Sequence, residues 1–343
     1  MDYSSDMEDV RVEGEAARPM VSVVMVAYNA ERYIGEAIAG VVKQRRSFDV
    51  ELLVLDDCST DATADVVRQM DEKFPGVIRY VRNERNLGSQ GNYLKGFRLA
   101  RGKYMALCDA DDYWSCRSKL KRQVDYMEAH PDCALTFHRV INFYESTGEK
   151  TLSNGMRQPE YSVNSLSRSN YITNLSVMYR RDLVDLQNLP AWIMDHRSPD
   201  YAIHMLYAVK GTMHYFPRPM GVYRKVEGAI WSTADAYRRL KMSLEMRLSL
   251  MKEFESYPEV VAGLRDASTA IARSMLVCAS DKPSVDSSAP YRTDREEAEA
   301  YAERFGIDAS AIPANAPAPS APRRSVISRL IRRLSRLVPR PRP

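Results

Sequence analysis

Residues 21–44 read VSVVMVAYNAERYIGEAIAGVVKQ. The first seven form an unbroken apolar run of strand length, and Ile34, Ala37, Ile38, Val41 and Val42 then recur at helical spacing. The same order returns downstream. VELLVL (50–55) is followed by helical DATADVVRQM (61–70), and VIRYV (77–81) by SQGNYLKGFRLARG (89–102), before KYMALC (103–108) reads as a fourth strand. Asp61 and Ser89 stand where N-caps are expected, and Gly102 where a helix should stop. Strands alternating with helices predict an α/β fold: a Rossmann-like, mostly parallel sheet flanked by helices, with ligands at the carboxyl ends of the strands.

Polar residues collect at those ends. Tyr28 and Asn29 follow the first strand, Asp56 and Asp57 the second, and Asp109, Asp111 and Asp112 the fourth. In extended backbone Asp109 and Asp111 share a side about 6–7 Å apart, a gap that suits one ion. Clustered carboxylates raise one another's pKa, so a cation belongs among them, and few carboxylates shared with substrate phosphates is the pattern of Mg²⁺ or Mn²⁺. Taken singly, Asp112 could equally cap the next helix, Asp57 could cap the helix before STDAT, and Tyr28 could simply pack at a strand end.

Outward from this core the pattern loosens. Helical KLKRQVDYMEAH (119–130) leads to strand-like CALTFHRVINFY (133–144), LSVMYR (175–180), TMHYF (212–216) and GVYRK (221–225), with SPDYAIHMLYAVKG (198–211) a helix stopping at Gly211. Helices fill most of 234–305, giving a C-terminal helical extension. The organisation expected is a disordered acidic N-terminus (1–19), a regular α/β half (20–115), a less regular half (116–232), the helical extension (233–305), a Pro/Ala linker (306–322) and a basic tail (323–343).

Composition agrees with a globular chain: 343 residues, 45% hydrophobic and 27% charged, with no apolar stretch of membrane-spanning length. The polar N-terminus does not resemble a secretory signal, so a cytoplasmic location is expected. Five cysteines without CxxC spacing indicate neither a disulfide framework nor a zinc knuckle. The net charge of +4 is divided unevenly, because residues 323–343 hold eight arginines and no acid, leaving 41 basic against 45 acidic residues elsewhere. On a helix, Val326, Ile327, Leu330, Ile331, Leu334, Leu337 and Val338 would form a stripe beside Arg329, Arg332, Arg333 and Arg336. That is the make-up of an interfacial helix on anionic lipid, which predicts peripheral attachment to the inner face of the cell membrane. A helix docked on its own body, a calmodulin-type target and non-specific nucleic-acid affinity are the alternatives, and no nucleic-acid partner is expected.

VSVVMVAYNAERYIGEAIAGVVKQ, ELLVLDDCSTDAT (51–63) and NLGSQGNYLKGFRLARGKYMALCDADDYW (86–114) together resemble, in order and spacing, the signatures of family 2 glycosyltransferases, which have the GT-A nucleotide-diphospho-sugar fold. The resemblance implies an inverting, metal-dependent transfer of a sugar from a nucleotide-diphospho-sugar, a UDP-sugar foremost, to a hydroxyl of a glycan or lipid-linked acceptor. It places Tyr28, between Ala27 and Asn29, against the nucleoside base, and Asp57, with Asp56 beside it, on the base's ring N–H. Asp109, Asp111 and Asp112 cover the Asp-x-Asp element, one acid for ribose or sugar and another for Mn²⁺ or Mg²⁺. The general base that an acceptor hydroxyl needs falls on Asp200, at the start of SPDYAIHMLYAVKG, with Pro199 where the family often has Glu; Asp195 and His196 are its neighbours. GVYRKVEGAIWS (221–232) resembles the segment that closes over the pyrophosphate, through Arg224, and ITNLSVMYRR (172–181) the acceptor-side strand. Trp114, Trp192 and Trp231 could stack on acceptor sugars or pack in the core. Two other readings share the fold: a sugar-phosphate nucleotidylyltransferase, whose Gly-rich phosphate loop AYNAERY lacks, and a non-catalytic glycan-binding protein.

Overall fold

A computed structural model describes residues 18–153, 161–196, 199–226, 236–279 and 293–311. The N-terminal repeat is built as strand β1 (Val21–Ala27), helix α1 (Ile34–Val42), β2 (Val50–Asp56), α2 (Thr63–Lys73), β3 (Ile78–Arg82), α3 (Gly88–Leu99) and β4 (Tyr104–Leu107). The strands pair in parallel, with Val21 opposite Val50 through to Ala27 opposite Asp56, and Val21 opposite Tyr104. All seven residues of β2 are buried, because helices cover both faces of the sheet.

The chain continues as β5 (Tyr113–Trp114), α4 (Lys119–Ala129), β6 (Cys133–Tyr144), β7 (Glu149–Leu152), α5 (Val163–Arg168), β8 (Met178–Arg180), α6 (Asp200–Ala208) and β9 (Thr212–Lys225). One sheet results, ordered β3-β2-β1-β4-β8-β6-β9-β5, with β7 on β6. Its first four strands are parallel; β8 runs antiparallel to β4 and β6, while β6 and β9 are parallel. TMHYF and GVYRK are one strand. Between the pairs His138↔Phe216 and Val140↔Gly221 the register slips, so Pro217 and Pro219 lie where no ladder bond is asked of them.

Several expected ends shift. α2 begins at Thr63 behind Ala62, and the Asp61 carboxylate, one residue before that cap position, accepts from the Thr63 N–H at 3.0 Å. α3 begins at Gly88 without a side-chain cap from Ser89 and ends at Leu99, because Ala100 is extended. Gly102 is needed for a different reason: a Cβ there would lie 2.4 Å from the Ser22 nitrogen of β1. LSVMYR is shorter as a strand, since Asn174–Ser176 coil into a 3₁₀ turn before β8.

The two faces of the sheet carry separate apolar clusters. Val23, Met25, Cys108 and Ala110 belong to the one packed by α1 and α4, and Val24, Leu53, Leu55 and Leu107 to the one packed by α3 and α6. Helices α7 (Ala236–Glu253), α8 (Pro258–Cys278) and α9 (Asp294–Arg304) follow. The chain divides into two compact units, one from residues 1–233 and 246–267, the other from 234–245 and 268–343. In the first, Leu250, Phe254 and Leu264 join the core cluster of α3 and α6. In the second, Glu297 takes Lys241 Nζ at 2.7 Å and the Tyr237 hydroxyl at 3.1 Å, and Thr293 and Glu296 form a capping box at the start of α9. Among the described residues no helix is long and apolar enough to cross a membrane. The linker beyond Ala311, the basic tail, Trp231 and most of the acidic N-terminus lie outside the described residues.

Candidate active site

The backbone after β4 keeps its alignment with β1, since Cys108 N donates to Val24 O and Ala110 N to Val26 O, each at 3.1 Å. Side chains therefore go on alternating. Cys108 and Ala110 turn into the α1 side of the core, while Leu107, Asp109 and Asp111 turn the other way. There they line a cavity of about 800 Å³ at the carboxyl ends of β1, β2 and β4. The same cavity is lined by Ala27, Tyr28, Asn29, Asp57 and Asp200. Asp56, Asp112 and Arg224 do not line it.

The turn after β1 is fastened to the turn after β2. Asn29 has a left-handed backbone (φ 47°), and its Oδ1 accepts the Thr60 N–H at 2.8 Å. Tyr28 is left 53% exposed, an unusual position for an aromatic ring and an open platform for a flat ligand. Asp57 is buried and accepts Asn83 Nδ2 and the Leu87 N–H on Oδ1, each at 2.8 Å, while Oδ2 has no hydrogen-bond donor among the described residues. It does not cap α2. Asp56 is structural, accepting the Ser59 N–H at 2.8 Å, the Tyr80 hydroxyl, and a 3.7 Å ion pair from Arg82.

The carboxylates of Asp109, Asp111 and Asp112 bring one oxygen each within 4.8 Å of the others. Burial raises all three pKa values, and mutual repulsion adds to it: Asp111 is pushed up to about 6 and Asp112 well above the usual carboxylate range. Asp109 rises for burial first, opposed by the Tyr93 hydroxyl and Asn174 Nδ2, which donate to its two oxygens. Asp112 is 2% exposed and its Oδ1 accepts the Arg224 N–H at 2.8 Å, so it points away from the cavity. Nor does it cap a helix, since α4 starts seven residues later, at Lys119, behind Ser118. Oxygen donors only, two of them facing open space, suit Mn²⁺ or Mg²⁺ completed by phosphate and water.

Asp200 opens α6 and lines the same cavity. Burial lifts its pKa to about 6, against stabilising hydrogen bonds from its own and the Tyr201 N–H and from Asn170. Asp195 is exposed, and the His196 ring bonds Ser249 Oγ at 3.0 Å; neither lines the cavity. Trp114 is 4% exposed with Nε1 on the Leu175 carbonyl, and Trp192 bonds Glu253, so both serve packing. Tyr93 and Asn174 are site residues that reading the sequence missed, one hidden by a core-facing helical position and the other by an expected strand.

Residues 22–187 match the family model described as glycosyl transferase family 2. An uncharacterised protein of Mycobacterium tuberculosis is 36% identical over 220 residues, 64% of this chain and 62% of that protein. The putative teichuronic acid biosynthesis glycosyltransferase TuaG of Bacillus subtilis is 37% identical over 120 residues, 35% and 46% of the two chains. The chain thus spans less than two thirds of the length of the curated relatives it matches. Among solved structures, the Pyrobaculum calidifontis mannosyltransferase PcManGT, in complex with GDP-Man and Mn²⁺, superposes with a TM-score of 0.55 at 17% identity, covering 93% of this chain and 80% of that one. None of this supports the nucleotidylyltransferase or the non-catalytic reading. Residues 22–187 thus match glycosyl transferase family 2, and the fold is that of the GT-A glycosyltransferases.

Proposed function

We propose that this chain is an inverting glycosyltransferase that passes a sugar from a nucleotide-diphospho-sugar to an acceptor hydroxyl in the assembly of a surface glycan. One observation carries the reading: a single cavity is lined by an exposed ring (Tyr28), a buried carboxylate (Asp57), the Asp109–Asp111 pair and Asp200. The Tyr28 ring stacks on the base and Asp57 Oδ2 accepts its ring N–H. Asp109 and Asp111 hold Mn²⁺ or Mg²⁺, which supplies neutralisation of the charge that develops on the diphosphate. Asp200 takes the acceptor's proton as the acceptor oxygen bonds to the anomeric carbon and the bond from that carbon to the diphosphate oxygen breaks. A carboxylate whose pKa is about 6 is ionised at neutral pH yet basic enough for that task. The surface-glycan acceptor follows the name of TuaG, and the basic tail would hold the enzyme where lipid-linked acceptors are made.

A panel of UDP-, GDP- and dTDP-sugars tests the reading by thermal shift and turnover, with and without Mn²⁺. A donor at 100 times its dissociation constant adds about 2.7 kcal/mol. The expected result is a metal-dependent shift with one nucleotide, a UDP-sugar first, and transfer that fails in Asp111→Asn. No response to any donor would sink the proposal.

A further inference from the structure

Arg224 was expected on the donor's pyrophosphate, yet its guanidinium is buried and donates inside the protein through Nε and Nη2. It is 9% exposed and lies over the rings of Tyr33, Tyr113 and Phe143 at 4.9, 5.3 and 5.7 Å. Its Nε donates to the Asp111 carbonyl at 2.8 Å, its backbone N–H to Asp112 Oδ1 at 2.8 Å, and its Nη2 to Glu36 Oε2 at 2.6 Å. Glu36 belongs to the first turn of α1 and stands outside the cavity. Three segments therefore meet on one side chain: α1 through Glu36, the end of β9, and the carboxylate turn after β4.

We propose that Glu36 and Arg224 form a clamp that fixes the Asp109–Asp112 turn, so that Arg224 is a positioning residue acting through Asp111 and Asp112 and is not a phosphate ligand. The inference rests on the metal–donor reading of that turn. The geometry favours it on two counts. A carbonyl and a carboxylate of adjacent residues are both held by one arginine, which removes the turn's freedom to rotate Asp111 away from its neighbour Asp109. The Glu36 carboxylate also neutralises the guanidinium, and a guanidinium already paired at 2.6 Å has less charge to offer a phosphate. Partners that orient ligating carboxylates typically carry about 10–100-fold in metal affinity.

Glu36→Gln is the decisive variant, because it leaves the cavity and every proposed ligand untouched. Mn²⁺ binding is followed by electron paramagnetic resonance, and nucleotide binding by calorimetry in the absence of metal, beside the activity. The clamp predicts that Glu36→Gln and Arg224→Lys each weaken Mn²⁺ binding about tenfold and leave metal-free nucleotide affinity unchanged, with melting temperatures confirming that both fold. The opposite pattern overturns it: Mn²⁺ affinity intact in Glu36→Gln, and metal-free nucleotide affinity lost in Arg224→Lys, would make Arg224 the phosphate ligand. Because Mn²⁺ binding is read directly, a wild-type chain that binds the metal but transfers no sugar would refute the glycosyltransferase proposal and still decide the clamp.

Discussion

At Asp111, burial and the Asp109 carboxylate lift the pKa from 3.8 to about 6, so the folded chain holds this proton more tightly than the unfolded one. Between about pH 4 and 6 the folded state binds more protons, and stability from this group falls as pH rises through that window. At pH 7 the ionised carboxylate is a liability that only a cation relieves. Asp111→Asn should therefore stabilise the metal-free protein by about 1–2 kcal/mol once solvent screening is allowed for, read as a higher melting temperature, while abolishing the Mn²⁺-induced shift and activity. A variant that melts lower and still responds to Mn²⁺ would contradict both parts. Asp200 titrates in the same range, but bound metal keeps Asp111 ionised, so under saturating Mn²⁺ the acid limb belongs to Asp200. kcat/KM should rise with pH through an apparent pKa near 6. Asp200→Asn should remove that limb and lower kcat by about 10²–10⁴-fold with donor affinity preserved; near-normal turnover would take the base role away from it. Tyr28, Asp57, Asp109 and Asp111 could be placed on one rim from sequence because each follows a strand with a strong local pattern, whereas Asp200 came from the family resemblance; all five line the cavity. Tyr93 and Asn174 could not, since they reach Asp109 across 16 and 65 residues.

Among the elements, the parallel strands were legible because a strand covered on both faces must be apolar at every position, a signal that survives without its partners. The later strands carry a weaker one. Two prolines made β9 look like two strands, and the two-residue β5 is defined only by its pairing with Val222 and Gly221. The end of α3 was misread where Gly102 answered a packing need and not a turn. Gly96, inside α3, answers a packing need that can be tested: a Cβ there would lie 2.5 Å from Val24 Cγ1, in a strand whose Val24 is fully buried. Alanine would gain about 1 kcal/mol of helix propensity, but prising α3 from β1 costs about 1–3 kcal/mol, and the clash should win. Gly96→Ala is expected to lower the midpoint of urea unfolding, and Gly96→Val to lower it further. An unchanged midpoint for both would show that α3 shifts at no cost.

Over the whole molecule, charge divides the chain more sharply than structure does, with eight arginines and no acid in residues 323–343 against a slightly acidic remainder. Those residues lie outside the described ones, so the prediction for them rests on sequence and on the linker's composition. Proline-rich sequences favour extended spacers, and AIPANAPAPSAP (311–322) has that composition. Deleting residues 323–343 should therefore abolish binding to vesicles containing anionic lipid while transfer to a soluble acceptor and the core's melting temperature stay as they were. The two contributions to binding can be taken apart. Changing only Arg329, Arg332, Arg333 and Arg336 to Gln keeps the apolar stripe and should remove the salt-sensitive share, about 1 kcal/mol for each arginine near the surface. Replacing Ile327, Leu330, Ile331 and Leu334 with Ser should instead leave a weak attachment that high salt releases completely. If the deletion lowers the melting temperature of the core by many degrees, the tail is docked on its own protein, and the membrane reading fails.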